Sequence, residues 1–200
     1  MTMTNGHLTT AQAAVTPPPA GSRPGARRRL KPGGQNANTS GQKLVRQTRD
    51  ALLAVLPDMT DLGSTAASSQ AFDKLVAEHA PTPALVAEYL GLVDEDYYHS
   101  QNHRVDLVLY HPELWPQRLA LQLKRQYSTG SADEKLVSAV RNAALYPCDA
   151  AFIVDAPGAR PGVLRRMHED AQEVKQIVGI FSSAEEFGQW VHHQLAAASA

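Results

Sequence analysis

Apolar and polar positions change period several times along this chain. Over residues 41–56 the apolar positions Leu44, Val45, Leu52, Val55 and Leu56 keep a helical spacing. Ser40 stands where an N-cap belongs, and Pro57 supplies the stop. Residues 71–79, around Phe72, Leu75 and Val76, predict a second helix. Residues 83–90, around Leu85, Val86, Tyr89 and Leu90, predict a third, so a helical insertion is expected near 71–90. The period then shortens. Residues 97–101 read as a strand, and residues 105–110 are apolar and β-branched apart from Asp106. Residues 119–125 alternate: Leu119, Leu121 and Leu123 fall on one face, and Gln122 and Lys124 on the other, followed by Gln126. The intervening HPELWPQ carries two prolines and reads as a hairpin loop.

Helical spacing returns over 133–146, where Leu136, Val137, Val140, Ala144 and Leu145 share a face and Pro147 ends the run. Ser131 or Asp133 is placed to cap it, and the acids of its first turn suit the helix dipole. Residues 150–154 are an apolar strand, 161–174 an amphipathic helix, and 176–181 a last strand. Ser182 or Ser183 caps a final helix with Phe187, Trp190, Val191 and Leu195 in its stripe, and the closing AAASA is expected to fray. A three-stranded meander followed by helical crossovers gives an α/β fold, a mixed sheet with helices on both faces.

Composition divides the chain at residue 39. Residues 1–39 hold Arg23, Arg27, Arg28, Arg29 and Lys31 and no acid, in a stretch rich in Thr, Ala, Pro, Gly and Asn. They are expected to form a disordered basic tail before a domain over 40–200, where 14 basic groups face 20 acidic ones. Such an arm suits a polyphosphate partner; it would equally serve as a solubilising tail. The single Cys148 excludes an internal disulfide and a cysteine-rich zinc site. No apolar run approaches the roughly 20 residues of a membrane span, and the N-terminal stretch lacks the apolar core expected of a secretory signal. A cytoplasmic, reduced setting is expected. His99 and His103 beside a strand lack the helical placement that would make them joint ligands.

The hairpin brings Asp106 beside the Gln122 and Lys124 face. One carboxylate in an apolar strand, a Gln-x-Lys on its neighbour and an Asp-Glu pair at a helix start suit metal-assisted hydrolysis of a phosphodiester. A carboxylate holds a divalent ion that polarises the phosphate and acidifies a water, while a lysine orients the nucleophile and offsets developing charge. Magnesium, or manganese in its place, suits oxygen ligands. Each residue has a plainer use: Asp106 as a turn cap or a partner of Arg104 or Arg118, Lys124 as a charge guarding a strand edge.

Asp106-x(15)-Gln122-Leu123-Lys124 resembles the core motif of the PD-(D/E)XK nuclease superfamily in its Gln-x-Lys form, and LQLKRQ is similar to the same strand of Mrr-type nucleases. GSADEKL resembles a segment that follows the catalytic lysine in several restriction-type nucleases. The resemblance implies a restriction-endonuclease-like fold from about Ser40 onward, with Asp106 as metal ligand, Gln122 in place of the usual Glu, the Leu123 carbonyl completing the shell, and Lys124 as the catalytic lysine. Some family members draw a missing carboxylate from the following helix, which nominates Glu134. The chain departs from the pattern in having Val105 rather than Pro before the Asp, and no acid in the early turns of its first helix, where Gln42 and Gln47 are nearest. Arg125, Gln126, Ser131 and Lys135 are placed to touch DNA, with Ser128 and Thr129 as further phosphate donors. The expected activity is a metal-dependent DNA endonuclease of restriction, phage or mobile-element type, acting as a homodimer where both strands are cut. The competing expectation is a catalytically degenerate DNA-binding or regulatory module of the same fold.

Overall fold

Two apolar cores lie on opposite faces of one mixed sheet, and alternation along the strands supplies both. The computed structural model describes residues 33–64, 69–79, 84–88, 91–93, 103–127 and 132–200. In chain order its elements are α1 (Gly33–Val55), β1 (Thr60–Asp61), α2 (Ser69–Glu78), β2 (Leu85–Glu88), β3 (Gly91–Val93), β4 (His103–Arg104), β5 (Leu107–His111) and β6 (Trp115–Arg125). There follow α3 (Ala132–Asn142) with a 3-10 turn (Ala143–Leu145), β7 (Asp149–Asp155), α4 (Pro161–Glu173), β8 (Ile177–Phe181) and α5 (Ala184–Ala198). Six strands form the main sheet in the order β1-β2-β5-β6-β7-β8. β2, β5 and β6 are antiparallel neighbours, and β6, β7 and β8 run parallel. The two parallel steps are made by α3 and α4, the crossover geometry that a parallel pair needs. β3 and β4 pair separately.

Strand alternation sorts the side chains. Leu107, Leu109, Leu119, Leu121, Leu123, Ala151 and Ile153 join one core, under Leu44 and Leu52 of α1 and Phe187 and Val191 of α5. Val108, Ala120, Ala150, Phe152 and Val154 join the other, with Phe72 of α2, Leu136 and Val140 of α3 and Met167 of α4. The expected α/β sheet with helices on both faces is therefore what the chain forms. Cys148 is buried, and burial pushes its thiol up to about 11, so it stays protonated and unreactive.

Several boundaries differ from the pattern-based expectation. Residues 85–88 are not helical and do not belong to an insertion. They form β2 inside the main sheet, between β1 and β5. Leu85 and Ala87 enter one core and Val86 the other, so every position is apolar and no period of two is visible. On the side away from β6 the neighbour of β5 is accordingly β2; the strand expected at 97–101 lies outside the described residues. Helix α1 begins at Gly33, so Ser40 sits within it rather than capping it. Strand β6 begins at Trp115. Between the pairs His111–Trp115 and Leu109–Leu119 the register shifts, and Arg118 takes a φ of 84°. Pro116 falls in this bulge, where its missing N–H breaks no regular ladder. At the C-terminus α5 is capped by Ser183, whose hydroxyl accepts from Glu186 N–H at 3.1 Å, and runs on to Ala198 through residues expected to fray.

The hairpin turn contains a pH-sensitive group. His111 is buried, and its Nδ1 accepts from the N–H groups of Glu113 (3.3 Å) and Leu114 (3.2 Å). Burial lowers its pKa, opposed in part by the Glu113 carboxylate. The unfolded chain then takes up the proton first, so this contribution to stability is present above pH 6.5, the ordinary histidine value, and is lost as pH falls below it. His111→Asn keeps a side-chain acceptor for the turn and is expected to flatten the fall in melting temperature between about pH 7.5 and 5.5. Parallel profiles for variant and wild type would assign the acid sensitivity elsewhere.

Candidate active site

The two strands named by the sequence part company at Asp106. Main-chain pairing of β5 with β6 is regular at Leu107–Leu121, and Asp106 N–H still bonds Leu121 O at 3.1 Å. Asp106 itself occupies a bend just before β5. Its Oδ2 accepts the N–H of Leu123 at 2.7 Å, so a carboxylate stands where the ladder would otherwise supply a carbonyl. This fixes the side chain against the main chain of the residue between Gln122 and Lys124.

On β6, Gln122 and Lys124 project from the face that Ala120 contributes to the α2/α3/α4 core. Lys124 Nζ donates to Gln122 Oε1 at 2.7 Å and lies 3.7 Å from Asp106 Oδ2. Gln122 is 3% exposed. Its Nε2 donates to Tyr146 Oη at 2.9 Å and points to Arg104 O at 3.5 Å. A carbonyl only accepts, and an ammonium only donates, so both ends of the amide are assigned: nitrogen inward, oxygen toward Lys124. The Lys124 and Asp106 side chains are 29% and 28% exposed, open enough for a ligand to reach. Tyr146, which follows the 3-10 turn and is buried, was not legible as a site residue: it reaches Gln122 from across the core.

The remaining nominated residues are placed differently. Glu134 is exposed, and with Asp133, Ser138, Arg141 and Arg160 it lines a groove of about 690 Å³ between α3 and α4. The acid that faces inward is its neighbour Asp133, 5% exposed, which accepts from Gln126 Nε2 at 2.5 Å and lies 3.4 Å from Arg160 Nε. Gln126 is thus buried in a clamp rather than offered to DNA, and its main chain bonds Asp155 O and Gly158 N, each at 3.0 Å. Arg125 is held by Asp155 at 2.8 Å and has its guanidinium over the ring of Tyr127. Lys135 is exposed on α3. Ser128, Thr129, Ser131 and His99 lie outside the described residues. Helix α1 carries no acid before Asp50, and its Arg49 pairs with Asp61 and Glu88. Gln47 lines a separate cleft of about 770 Å³ between α1 and α5, with Asp50, Glu185, Gln189, His192 and His193.

A model of the PD-(D/E)XK nuclease superfamily domain matches residues 74–191, from α2 into α5 and across Asp106, Gln122 and Lys124. This chain belongs to the PD-(D/E)XK nuclease superfamily. No curated protein and no solved structure matches the chain significantly. The six-stranded mixed sheet and its flanking helices agree with a restriction-endonuclease-like PD-(D/E)XK fold.

Nucleases of this superfamily typically use divalent metals, and the donor set can be tested for that use. Among the described residues no three His, Cys, Asp or Glu converge. The Lys124 ammonium nevertheless sits near Asp106 Oδ2 and Gln122 Oε1 together, so two hard oxygens already converge on one cation. One carboxylate and one amide oxygen fit an ion that keeps most of its waters and completes its shell with substrate phosphate, as magnesium does. No helix among the described residues is long and apolar enough to cross a membrane.

Proposed function

We propose that this PD-(D/E)XK protein is a divalent-metal-dependent DNA endonuclease whose catalytic residues are Asp106, Gln122 and Lys124. The observation that carries the proposal is the convergence of a carboxylate, an oriented amide oxygen and an ammonium at the point where β5 and β6 separate. Asp106, Gln122 Oε1 and the Leu123 carbonyl would hold the ion, with magnesium first and manganese as its substitute. When bound, the ion supplies charge at the scissile phosphate and acidifies a water toward neutral pH. Asp106 offers the negative charge of the site, and the Leu123 N–H holds it in place. Gln122 presents its oxygen because Tyr146 and the Arg104 carbonyl hold its nitrogen. Lys124 orients the attacking water and offsets charge on the phosphate oxygens. Cleavage leaves 5′-phosphate and 3′-hydroxyl ends. The acid-free arm over residues 1–39 adds sequence-independent phosphate contacts, and a homodimer cuts both strands of a duplex.

One observation favours a second reading. A single carboxylate among the described residues is a sparse ligand set, and a chain that keeps the fold and binds DNA without cutting it would show the same geometry. Supercoiled plasmid incubated with magnesium, manganese or chelator separates the two. The endonuclease nicks or linearises the plasmid with metal alone, and its products accept a labelled 5′-phosphate only after phosphatase treatment. Retarded but intact plasmid under every metal condition would favour the binding module.

A further inference from the structure

Beyond Lys124 the chain builds a feature that phosphodiester hydrolysis does not use. Tyr127 is 60% exposed, the only aromatic residue among the large exposed apolar side chains of the described residues. The Arg125 guanidinium lies over its ring, 5.0 Å from the centroid. Arg125 is in turn fixed: its side chain is 11% exposed and its Nε lies 2.8 Å from Asp155 Oδ2. The residue between them is fixed as well. Gln126 is bonded through its N–H to Asp155 O, through its carbonyl to Gly158 N, and through its side chain to Asp133. A solvent-facing aromatic ring, backed on one side by an anchored cation, therefore stands on a rigid stem.

Exposed tyrosine normally turns its apolar body toward protein. Here, among the described residues, a guanidinium lies over the ring, and the ring's 60% exposure offers surface to a second stacking partner. Three residues of extended chain span at most about 10 Å. At about 3.4 Å of rise per nucleotide, the ring is within roughly three nucleotides of a phosphate at Lys124.

We infer that Tyr127, backed by Arg125, is a stacking platform for one unpaired nucleobase beside the scissile phosphate. The inference rests on the endonuclease reading and adds to it a preference for DNA with an unpaired base near the cut: a single strand, a gap or a flap. Every base has a π-face, so the platform selects for unpairing and not for sequence.

The test measures binding in chelator, where no cleavage occurs. Full-length wild type, Tyr127→Ala and Tyr127→Phe are titrated by anisotropy into a labelled single strand and the matching blunt duplex. A second single strand carries 2-aminopurine, whose emission reports stacking. Wild type and Tyr127→Phe are expected to bind the single strand alike and to quench 2-aminopurine. Tyr127→Ala is expected to lose single-strand affinity by roughly 5- to 150-fold, to leave the probe bright, and to bind duplex as wild type does. Equal binding by wild type and Tyr127→Ala overturns the platform and leaves the nuclease reading intact. So does a loss shared equally by duplex and single strand. Wild type with no affinity for either DNA at low salt removes the nuclease reading, and the platform with it.

Discussion

Lys124→Ala is expected to lower metal-dependent cleavage by at least about 100- to 1,000-fold, the usual cost of removing one group aimed at developing charge. The fold should be unaffected. Lys124 ends the polar face of β6, and among the described residues its ammonium meets Gln122 Oε1 and, more distantly, Asp106 Oδ2. Asp106 is about a quarter exposed, so water replaces the ammonium and no charge is stranded in a core. Lys124→Arg should not rescue the activity. A planar guanidinium cannot occupy the point between two oxygens that a compact ammonium fills. Circular dichroism and the melting temperature check the fold, and plasmid nicking checks the activity. An alanine variant that nicks at the wild-type rate would remove Lys124 from the chemistry.

Asp106 should separate two roles that coincide in one carboxylate. Asp106→Asn keeps an oxygen to accept the Leu123 N–H and removes the charge; it should fold normally and lose at least about 100-fold in metal-dependent cleavage, since even partners that merely support a ligand cost 10- to 100-fold. Asp106→Ala removes the acceptor too. It leaves the Leu123 N–H without its 2.7 Å partner, so a further loss of about 1–3 kcal/mol in stability is expected. Urea denaturation of the two variants measures the difference. Equal stabilities would show that the sheet does not depend on this side chain where the strands separate.

The parts of this account legible in the sequence are those written in a strict period. Alternation through Leu119, Leu121 and Leu123 gives the buried face of β6 and, by exclusion, places Gln122 and Lys124 side by side. The hairpin then delivers Asp106, because antiparallel pairing allows little slip when one face is buried. Strand β2 was not legible because Leu85, Val86 and Ala87 are buried on both faces, and a short apolar run suits a helix as well as a central strand. The start of α1 is hidden for another reason. GGQNANTS is a poor helix former, but propensity is a weak prior, and a helix packed along α5 extends from its stable portion more easily than it starts.

At the site, helix phase separates Asp133 from Glu134. Adjacent residues on a helix differ by about 100°, so only the packing of α3 reveals that Asp133 turns inward while Glu134 faces solvent. Gln126 shows the limit of alternation in the same way. It continues the polar face of β6 in sequence, yet the strand has ended at Arg125, and the side chain turns into the Asp133 clamp. Tyr146 carries no local signal at all, since its contact with Gln122 comes from folding the 3-10 turn back under the sheet.

One gel tests the assignment of Asp106 and Lys124. Wild type, Asp106→Asn and Lys124→Ala, matched in melting temperature, are incubated with supercoiled plasmid and single-stranded DNA in magnesium and in chelator. Cleavage by wild type in magnesium only, and by neither variant, is expected. Cleavage that survives either substitution, or that survives the chelator, would remove the metal-dependent site assigned to these residues.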